Sequence, residues 1–290
     1  MKTVFIINPK SGKGMDRDRM LAAIRLNFPD AEWALTERAG HATELAQKAV
    51  ERGYDAVIAV GGDGTINETA KPLVGTRTAL GVVPRGSGNG FARTLGMPML
   101  FEEALPLLQK ARSVPCDVGT ANGEYFLNLA GVGIEAEIAR LFAEQGKNGP
   151  RGKWPYFKLG FKTVWNYKPK MLEVTSDGKT EMLRSLTLVF ANGTQYGSNF
   201  KIAPNAKLGD GLLERVEVLP VGKWKLVLAA PTFFFNNWRP LAVTRSADVK
   251  ETVISYPGEI VYHVDGEPRV AKDELKISVV PRALRILLPH

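Results

Sequence analysis

Short apolar runs alternate with amphipathic stretches through the N-terminal third of the chain. The runs predict strands at Thr3–Ile7, Ala31–Leu35, Ala56–Val60 and Ala79–Val83, and the stretches predict helices at Asp18–Asn27, Thr43–Arg52, Ile66–Pro72 and Phe91–Thr94. Near-continuous apolar strands separated by helices are typical of a parallel sheet covered on both faces. In such a sheet, ligands bind at the loops that leave the carboxyl ends of the strands.

The pattern changes near Asp117, after which strand-like runs are separated by turn signals such as Ala121-Asn122-Gly123 and Ser176-Asp177-Gly178. The runs are Tyr125–Ala130, Met171–Thr175, Leu183–Ala191, Leu212–Leu219, Thr252–Ser255, Ile260–Val264, Leu275–Val280 and Leu284–Leu288. Such a series favours an antiparallel sandwich or barrel-like domain. We therefore predict an N-terminal three-layer α/β nucleotide-binding domain followed by a C-terminal antiparallel β-sandwich domain.

The composition adds constraints on fold and partners. The 290 residues are 44% hydrophobic and 23% charged, which excludes a disordered chain. A net charge of +8 indicates anionic partners: nucleic acid, phosphorylated metabolites or an acidic membrane face. The single cysteine, Cys116, excludes an internal disulfide framework and fits a reducing compartment. One cysteine with three histidines also excludes a Cys/His zinc site.

Neither a targeting segment nor a membrane span is visible in the sequence. The longest largely apolar run, Leu226–Phe235, is interrupted by Pro231 and Thr232, whereas a bilayer span needs roughly 20 apolar residues. The apolar run that begins at Thr3 is too short for a secretory signal. We therefore expect a cytoplasmic protein.

Three glycine-rich loops each follow a predicted strand, at residues 8–14, 61–68 and 84–90. Glycines allow backbone N–H groups to surround a phosphate, and a following helix N-terminus adds a positive dipole. One such loop alone has an ordinary interpretation as a strand-to-helix turn. Three loops at one predicted sheet edge, two of them with Lys or Arg, favour the binding of nucleotide phosphates.

Two common nucleotide motifs do not fit these loops. A Walker loop requires Gly-x4-Gly-Lys-Ser/Thr, but Gly12-Lys13 is followed by Gly14, and Ile7 stands five residues before Gly12. The spacing of Gly86, Gly88 and Gly90 differs from the dinucleotide pattern G-x-G-x-x-G. The chain is therefore neither a P-loop NTPase nor a Rossmann dehydrogenase.

At these residues the chain resembles the diacylglycerol kinase catalytic family, which includes bacterial lipid kinases and sphingosine and ceramide kinases. The matching pieces are Asn8-Pro9-x-Ser11-Gly12, Gly61-Gly62-Asp63-Gly64-Thr65-x-Asn67-Glu68, Pro84-x-Gly86-Ser87-Gly88-Asn89, Asp117-x-Gly119, Phe126-x-Asn128, Gly131-x-Gly133, Asn192-Gly193 with Pro204, Asp210-Gly211-Leu212-Leu213 and Asp265-Gly266-Glu267-Pro268. Gly-Gly-Asp-Gly alone is shared with NAD kinases and phosphofructokinases. Asp210-Gly211-Leu212-Leu213 and Asp265-Gly266-Glu267-Pro268, by contrast, resemble motifs of the lipid kinases.

The third loop departs from the usual bacterial pattern, Gly-Thr-x-Asn-Asp. Ser87 stands where Thr is usual, and Gly90 stands where Asp is usual. The form Gly-Ser-Gly-Asn resembles the sphingosine and ceramide kinase branch, so the identity of the lipid stays open.

The resemblance implies an ATP-binding α/β domain over residues 1–120, rejoined by a C-terminal strand at about residues 281–290, and a β-rich lipid-substrate domain over residues 121–280. The implied cofactors are ATP and Mg²⁺, with the lipid acceptor in the cleft against the second domain. The implied ATP-binding residues are Asn8, Ser11, Gly12, Thr36, Gly61, Gly62, Asp63, Gly64, Thr65, Asn67, Glu68, Gly86, Ser87 and Asn89. A strand-end hydroxyl is the competing interpretation for Thr36.

Three carboxylates are candidate catalytic residues. By resemblance, Asp63 serves the Mg–nucleotide or acts as the base, while a helix N-cap is its alternative. If a strand continues through residues 263–268, Asp265 and Glu267 share one face. By resemblance, Glu267 is the expected general base, and Asp265 supports the metal or the substrate hydroxyl. A hairpin turn with solvated acids is the alternative.

A structural Mg²⁺ site is implied at residues 207–212. The resemblance assigns its ligands to the carbonyl groups of Lys207 and Leu212 and to the carboxylate of Asp210, which are oxygen donors suited to a hard cation. An Asp-Gly turn before a strand is the competing interpretation.

The expected activity is ATP-dependent phosphorylation of a hydroxyl of diacylglycerol or a sphingoid lipid. The alternatives are an NAD kinase-like enzyme acting on a soluble metabolite and a non-catalytic basic nucleotide-binding module. We expect no nucleic-acid partner, because no RNA-stacking motif is present. A homodimer stays open.

One segment suggests peripheral contact with an anionic membrane. Between Arg140 and Lys170 there are eight basic residues, seven aromatic residues and one acid, Glu144. Basic side chains are attracted to an anionic leaflet, and Trp and Tyr favour the headgroup region. A core helix with a solvated basic face is the competing interpretation.

Overall fold

A computed structural model describes residues 1–12, 16–144, 163, 165–229, 233 and 243–289. The chain forms two compact units. The first comprises Met1–Val118, Gln195–Asn199 and Pro281–His290, and the second comprises Gly119–Thr194 and Phe200–Val280. Among the described residues, no helix has the length and apolar character that spanning a bilayer requires.

The first unit alternates strands and helices. In chain order these are β1 (Thr3–Ile7), α1 (Arg17–Asn27), β2 (Glu32–Leu35), α2 (His41–Glu51), β3 (Ala56–Gly61), α3 (Asp63–Ala70), a 3₁₀ turn (Lys71–Leu73), β4 (Ala79–Pro84), α4 (Gly90–Thr94), α5 (Phe101–Gln109) and β5 (Arg112–Ala121). β5 continues past Val118 into the second unit. The fifth helix was not among the predicted elements.

The remaining elements, mostly strands, follow β5. They are β6 (Glu124–Phe126), β7 (Leu129–Gly133), α6 (Ile134–Glu144), β8 (Leu172–Ser176), β9 (Lys179–Leu183), β10 (Thr187–Ala191), β11 (Gln195–Gly197), β12 (Phe200–Lys201), β13 (Leu213–Val218), α7 (Lys223–Ala229), β14 (Thr244–Val249), β15 (Glu251–Val264) and β16 (Glu267–Leu288). β11 and the end of β16 belong to the first unit.

The sheet of the first unit is parallel, with the order β2-β1-β3-β4. The end of β16 adds a further parallel strand, with Arg285 opposite Ala79 and Ile286 opposite Leu80. All five residues of β1 and all six of β3 and β4 are buried, as expected for strands covered on both faces. The carboxyl ends of β1, β3 and β4 therefore lie side by side.

The second unit is built on antiparallel pairs in the order β14-β13-β10-β7-β15-β16. β15 enters two ladders: residues 252–255 pair with β8, and residues 262–264 pair with β7. The register of its pairing with β16 shifts between Ser255 and Glu259. A strand that changes partners at such an irregularity allows a sheet to turn and enclose a core, which here includes the buried rings of Phe126 and Phe190.

The predicted fold class, an α/β domain followed by a β-sandwich, is confirmed. Two runs that were predicted as single strands are divided: Tyr125–Ala130 into β6 and β7, and Leu183–Ala191 into the end of β9 and β10. Conversely, the runs at residues 252–255 and 260–264 belong to one strand. Helix α6 lies in a region whose pattern favoured strands.

Candidate active site

The three glycine-rich turns of the first unit pack against one another. Gly12 has a φ of +78°, and a Cβ atom added there would lie 2.8 Å from the carbonyl oxygen of Arg85. A Cβ atom on Gly86 would lie 2.7 Å from the Cα atom of Gly62. Only glycine permits approaches this close. We call residues 8–12, 61–65 and 85–89 the turn cluster; residues 13–15 lie outside the described residues.

Asn8 connects the first turn to the second. Its Nδ2 donates a hydrogen bond to Thr65 Oγ1 at 3.0 Å, and its Oδ1 accepts one from the Lys10 N–H at 3.0 Å. The Ser11 N–H donates to the Asn8 carbonyl at 3.2 Å. Asn8 thus shapes the turn from within, while Gly12 stands exposed at its surface.

Asp63 begins α3 and faces the start of α4. The backbone N–H groups of Asn89, Gly90 and Phe91 hydrogen-bond its carboxylate, which favours the charged form. Burial acts more strongly in the opposite direction and raises the pKa of Asp63 above its usual value. A cation placed beside this carboxylate would relieve the cost of burying its charge.

The third turn is closed by Asn89, whose side chain bonds to the backbone of Gly86 in both directions. Its Oδ1 accepts from the Gly86 N–H and its Nδ2 donates to the Gly86 carbonyl, each at 2.8 Å. Ser87 is exposed at the tip of this turn. The structure therefore places Ser87 outward and Asn89 inward.

Two other predicted ATP contacts are engaged within the fold. The Glu68 carboxylate accepts from the Ala42 N–H at 3.3 Å, at the N-terminus of α2, and its carbonyl accepts from Thr43 Oγ1 at 2.9 Å. Thr36 is buried, and its N–H donates to the Ile7 carbonyl at 2.9 Å. Thr36 directly follows the carboxyl end of β2, and the contact of Thr36 and Glu68 with a nucleotide stays a prediction.

The other predicted residues lie on the second turn and α3. A Cβ atom on Gly61 would lie 2.5 Å from the Cβ atom of Thr65, whereas nothing lies within 4 Å of one on Gly64. Asn67 is half-buried on α3. The close approach of Thr65 therefore explains why residue 61 is glycine, whereas the space beside Gly64 is open to a ligand.

A fourth segment, Gln195–Asn199, joins the turn cluster and was missed at the sequence level. Gly197 bridges to Asn89, and the Ser198 N–H donates to the Gly88 carbonyl at 3.0 Å. Arg93 Nη1 donates to Asn199 Oδ1 at 2.8 Å. These partners lie more than a hundred residues away along the chain. The available signal was Gly197 itself, just after the Asn192-Gly193 motif.

The turn cluster also contains the cationic side chains of Arg85 and Lys10. The Arg85 guanidinium lies against Gly12, since a Cβ atom there would be 3.2 Å from Arg85 Nε. Burial lowers the pKa of Arg85, but an arginine stays protonated at neutral pH. Lys10 is exposed on the first turn.

In the second unit, no strand continues through residues 263–268, and the structure shows the hairpin turn that was the alternative. Asp265 and Gly266 form a two-residue turn between β15 and β16, with φ values of +48° and +86°. Two positive φ values are typical of the type I′ hairpin turn, and Asp-Gly is a preferred pair for it. Asp265 and Glu267 therefore do not alternate along one strand.

The Asp265 carboxylate is not simply solvated. It accepts hydrogen bonds from three successive backbone N–H groups, those of Leu127 at 2.8 Å, Asn128 at 3.0 Å and Leu129 at 2.9 Å. Because the N–H groups at residues 127 and 128 point to this carboxylate, the predicted strand Tyr125–Ala130 is divided there. Asp265 thus fixes the position of the turn that carries Glu267.

Glu267 is held by an arginine rather than by a metal-binding cluster. Arg269 Nη2 donates to Glu267 Oε2 at 2.9 Å, and Arg269 also makes a bidentate pair with Glu124, with both bonds at 2.8 Å. The Glu267 side chain is 58% exposed. An exposed carboxylate oriented by a fixed guanidinium is accessible to a substrate proton.

The predicted Mg²⁺ ligands lie in a turn before β13. Asp210 Oδ1 accepts from the Leu212 N–H at 3.1 Å, and Lys207 and Asp210 are exposed. In the described part of the chain, no three His, Cys, Asp or Glu residues cluster as metal ligands. A set of one carboxylate and two carbonyl oxygens still fits the chemistry of Mg²⁺.

The second unit also contains a small amphipathic cavity of about 90 Å³. Its walls include Leu188 and Ile260 together with the polar groups of Glu137, Tyr167 and Lys170. Burial, with added repulsion from Glu137 and Glu135, raises the pKa of Tyr167 to about 12. The phenol is therefore a neutral hydrogen-bond donor at physiological pH.

Much of the basic and aromatic segment between Arg140 and Lys170 lies outside the described residues, including Lys153 and Lys158. Within its described part, Arg140 pairs with Glu137 and Glu144 on α6. Arg140 is therefore neutralised within its own helix.

Two family models match the chain. The diacylglycerol kinase catalytic domain matches residues 2–121, and the YegS C-terminal NAD kinase beta sandwich-like domain matches residues 128–288. A protein of Serratia proteamaculans named "Probable lipid kinase YegS-like" is 31% identical over 99% of this chain and 93% of its own. The diacylglycerol kinase of Bacillus subtilis is 33% identical over 72% of this chain and 71% of its own.

The fold agrees with these matches. A crystal structure of a diacylglycerol kinase from Bacillus anthracis superposes with a TM-score of 0.76 at 25% identity, covering 99% of this chain and 96% of that one. The α/β unit with glycine turns at one sheet edge and the β-sandwich unit that follows it match the two family models and relatives named as lipid kinases. The chain belongs to the diacylglycerol kinase catalytic-domain family and carries the YegS-type C-terminal domain.

Proposed function

We propose that this protein transfers the γ-phosphoryl group of MgATP to a hydroxyl of a diacylglycerol or sphingoid lipid. The observation that carries the proposal is the turn cluster, in which three glycine turns meet beside Asp63 and Arg85. Phosphoryl transfer depends mainly on positioning the phosphates and neutralising their charge. Glycine turns and cationic side chains suit the phosphates, and a half-buried carboxylate suits the accompanying Mg²⁺.

Within the turn cluster, we assign the phosphates to the backbone N–H groups of the glycine turns and to Arg85 and Lys10. Asp63 is assigned to the Mg²⁺ that accompanies the nucleotide. When bound, that ion neutralises charge developing on the phosphate oxygens. The raised pKa of Asp63 supports this assignment, because a bound cation restores the stability of the buried charged form.

Glu267 is assigned as the general base. In the proposed step the lipid hydroxyl oxygen bonds to the γ-phosphorus, the bond from that phosphorus to the β,γ-bridging oxygen breaks, and ADP leaves. The hydroxyl proton passes to the Glu267 carboxylate. Asp265 holds the hairpin turn and acts on the reaction through Glu267, and Asp63 is the alternative base.

The second ion site is proposed at Lys207, Asp210 and Leu212, where Mg²⁺ would stabilise the turn before β13 rather than take part in chemistry. We also propose that the protein is cytoplasmic and associates peripherally with anionic membranes, because its substrate is a lipid and its net charge is +8. A homodimer stays open, and no nucleic-acid partner is proposed.

The test combines a substrate panel with two variants. Purified protein is incubated with ATP labelled at the γ-phosphate, Mg²⁺ and detergent-dispersed diacylglycerol, sphingosine and ceramide, with NAD as the soluble control. We expect label in a lipid and none in NAD. Transfer to NAD alone would support the NAD kinase-like alternative, and nucleotide binding without transfer would support a binding module.

The variant Glu267→Gln separates the two candidate bases. Removing a general base typically lowers kcat by 10²–10⁴-fold. We expect that loss with little change in the KM for ATP. If Glu267→Gln instead weakens ATP binding and leaves kcat near the wild-type value, Glu267 is a nucleotide contact and Asp63 becomes the base.

A further inference from the structure

Helix α7 presents an apolar surface to solvent. Trp224 and Leu228 stand one turn apart on it and are 75% and 68% exposed. Trp165, which is 41% exposed, meets the Trp224 ring edge to face, with ring centroids 6.3 Å apart. The chain thus brings together three large apolar side chains from two separate segments at one exposed place. We call Trp165, Trp224 and Leu228 the aromatic patch.

The neighbouring charges in the sequence are positive. Lys225 follows Trp224 directly, Lys168 lies three residues after Trp165, and both lysines are exposed. An apolar helix face with adjacent lysines is typical of helices that lie in the membrane interface, where Trp is enriched. Contiguous exposed apolar surface on a soluble protein marks an interaction site.

We propose that the aromatic patch inserts into the headgroup region of an anionic bilayer. Charge complementarity favours this occupant over a second copy of the chain. A symmetric dimer through the patch would place the same lysines opposite one another, within a protein of net charge +8. An anionic leaflet attracts those lysines while its acyl boundary receives the tryptophans and the leucine.

The docking proposal depends on the proposed lipid kinase function in one respect only: that function explains why the protein would need access to a bilayer. Binding is measured by co-sedimentation with two kinds of vesicle: phosphatidylcholine alone, and equal parts of phosphatidylcholine and phosphatidylserine. We expect binding to the anionic vesicles, with a blue shift of tryptophan emission and a loss of binding as salt increases.

Two double variants test the patch. Trp224→Ala with Leu228→Ala removes two exposed apolar groups, and we expect at least about tenfold weaker vesicle binding. Leu26→Ala with Leu100→Ala is the matched control, because those leucines are 83% and 59% exposed in the first unit. The control should bind as the wild type does.

The charge contribution is tested by Lys168→Glu with Lys225→Glu, for which we expect roughly tenfold or greater loss on anionic vesicles. Lys179→Glu with Lys272→Glu is the matched control at exposed sites of the second unit. Far-UV circular dichroism checks the fold of every variant, and Trp224→Phe, which keeps an aromatic ring, should retain most of the binding.

The outcomes separate docking from catalysis. Equal vesicle binding by the patch variants and their controls would overturn the proposal, as would a dimer that the patch variants convert to monomers without changing vesicle binding. Activity on detergent-dispersed lipid should be unchanged in the patch variants. Patch-dependent binding without phosphorylation of any lipid would contradict the proposed function and leave the docking surface standing.

Discussion

Asp63 is a carboxylate whose environment favours its neutral form. Burial raises its pKa, and the three N–H groups at the start of α4 only partly offset that effect. For a group whose pKa is higher in the folded state than in the unfolded state, stability falls as pH rises from below the unfolded value through the folded value. The ionised carboxylate therefore costs stability at neutral pH, as expected of a group assigned to hold a cation.

Asp63→Asn should accordingly lose activity and gain stability. In the absence of nucleotide and Mg²⁺, we expect a higher Tm than wild type at neutral pH, because the amide carries no charge to bury. The gain should vanish below about pH 4, where the aspartate is protonated in both states. Asp30→Asn, at an exposed turn, is the control for the loss of one negative charge. A lower Tm for Asp63→Asn at neutral pH would contradict the account.

Arg269 is expected to act on the reaction through Glu267. Its bidentate pair with Glu124 fixes the guanidinium that orients the Glu267 carboxylate. Small misplacements of a catalytic group can cost up to about a hundredfold in rate. Arg269→Leu should therefore lower kcat by roughly tenfold to a hundredfold with the KM for ATP unchanged, and Arg269→Lys should recover part of it.

A double-mutant cycle distinguishes this role from a general loss of structure. In a Glu267→Gln background, Arg269→Leu should cause no further loss of kcat, because the group that it positions is already gone. Arg245→Leu, at an exposed site on β14, should leave kcat unchanged in either background. Additive losses in the cycle would show that Arg269 acts elsewhere.

At the scale of elements, glycine placement determines how closely the turns approach. Gly86→Ala would place a methyl group 2.7 Å from the Gly62 Cα atom, so one of the two turns must move. Gly64→Ala meets nothing within 4 Å, and alanine is favoured over glycine in a helix by up to about 1 kcal/mol.

The two glycine variants should therefore distinguish a glycine needed for packing from a glycine needed for ATP binding. We expect Gly86→Ala to lower both the Tm and the affinity for ATP, as measured by calorimetry. Gly64→Ala should keep or raise the Tm and still weaken ATP binding, because its methyl group enters the space assigned to the nucleotide. Full ATP affinity in Gly64→Ala would place the nucleotide elsewhere.

The strands of the first unit were predictable because each is a short, fully apolar run, and Thr3–Ile7 was predicted with its observed bounds. The division between β6 and β7 was not, because it depends on the Asp265 carboxylate, more than 130 residues away along the chain. The contact of Gly197 with the third turn is equally non-local. The local sequence pattern indicates secondary-structure propensity and periodicity, but it does not predict such long-range hydrogen bonds.

The candidate site likewise has features that the sequence predicts and features that it does not. The glycine turns follow directly from sequence, since glycines after apolar strands indicate turns at a sheet edge. A shared face for Asp265 and Glu267 was expected only if a strand continued through them. Asp-Gly instead forms the hairpin turn that was the alternative, with two positive φ values. Arg269 was overlooked because its role depends on Glu124, on another strand.

At the scale of the whole molecule, the proposed activity has two requirements: a nucleotide site and access to a lipid in a bilayer. The turn cluster is assigned to the first and the aromatic patch to the second. The basic charge of the chain serves both assignments, because nucleotide phosphates and anionic headgroups are polyanions. Because salt screens exposed charges more than partly buried ones, it should weaken vesicle binding more than it weakens activity on detergent-dispersed lipid.

The central claim is that the turn cluster with Asp63 transfers phosphate from ATP to a lipid. The most direct test measures label transfer from γ-phosphate-labelled ATP to detergent-dispersed diacylglycerol and sphingosine, for wild type and Asp63→Asn side by side. The account predicts Mg²⁺-dependent labelling of at least one lipid by the wild type and almost none by the folded variant. Labelling by Asp63→Asn at a rate near that of the wild type, or no lipid labelling by the wild type, would contradict it.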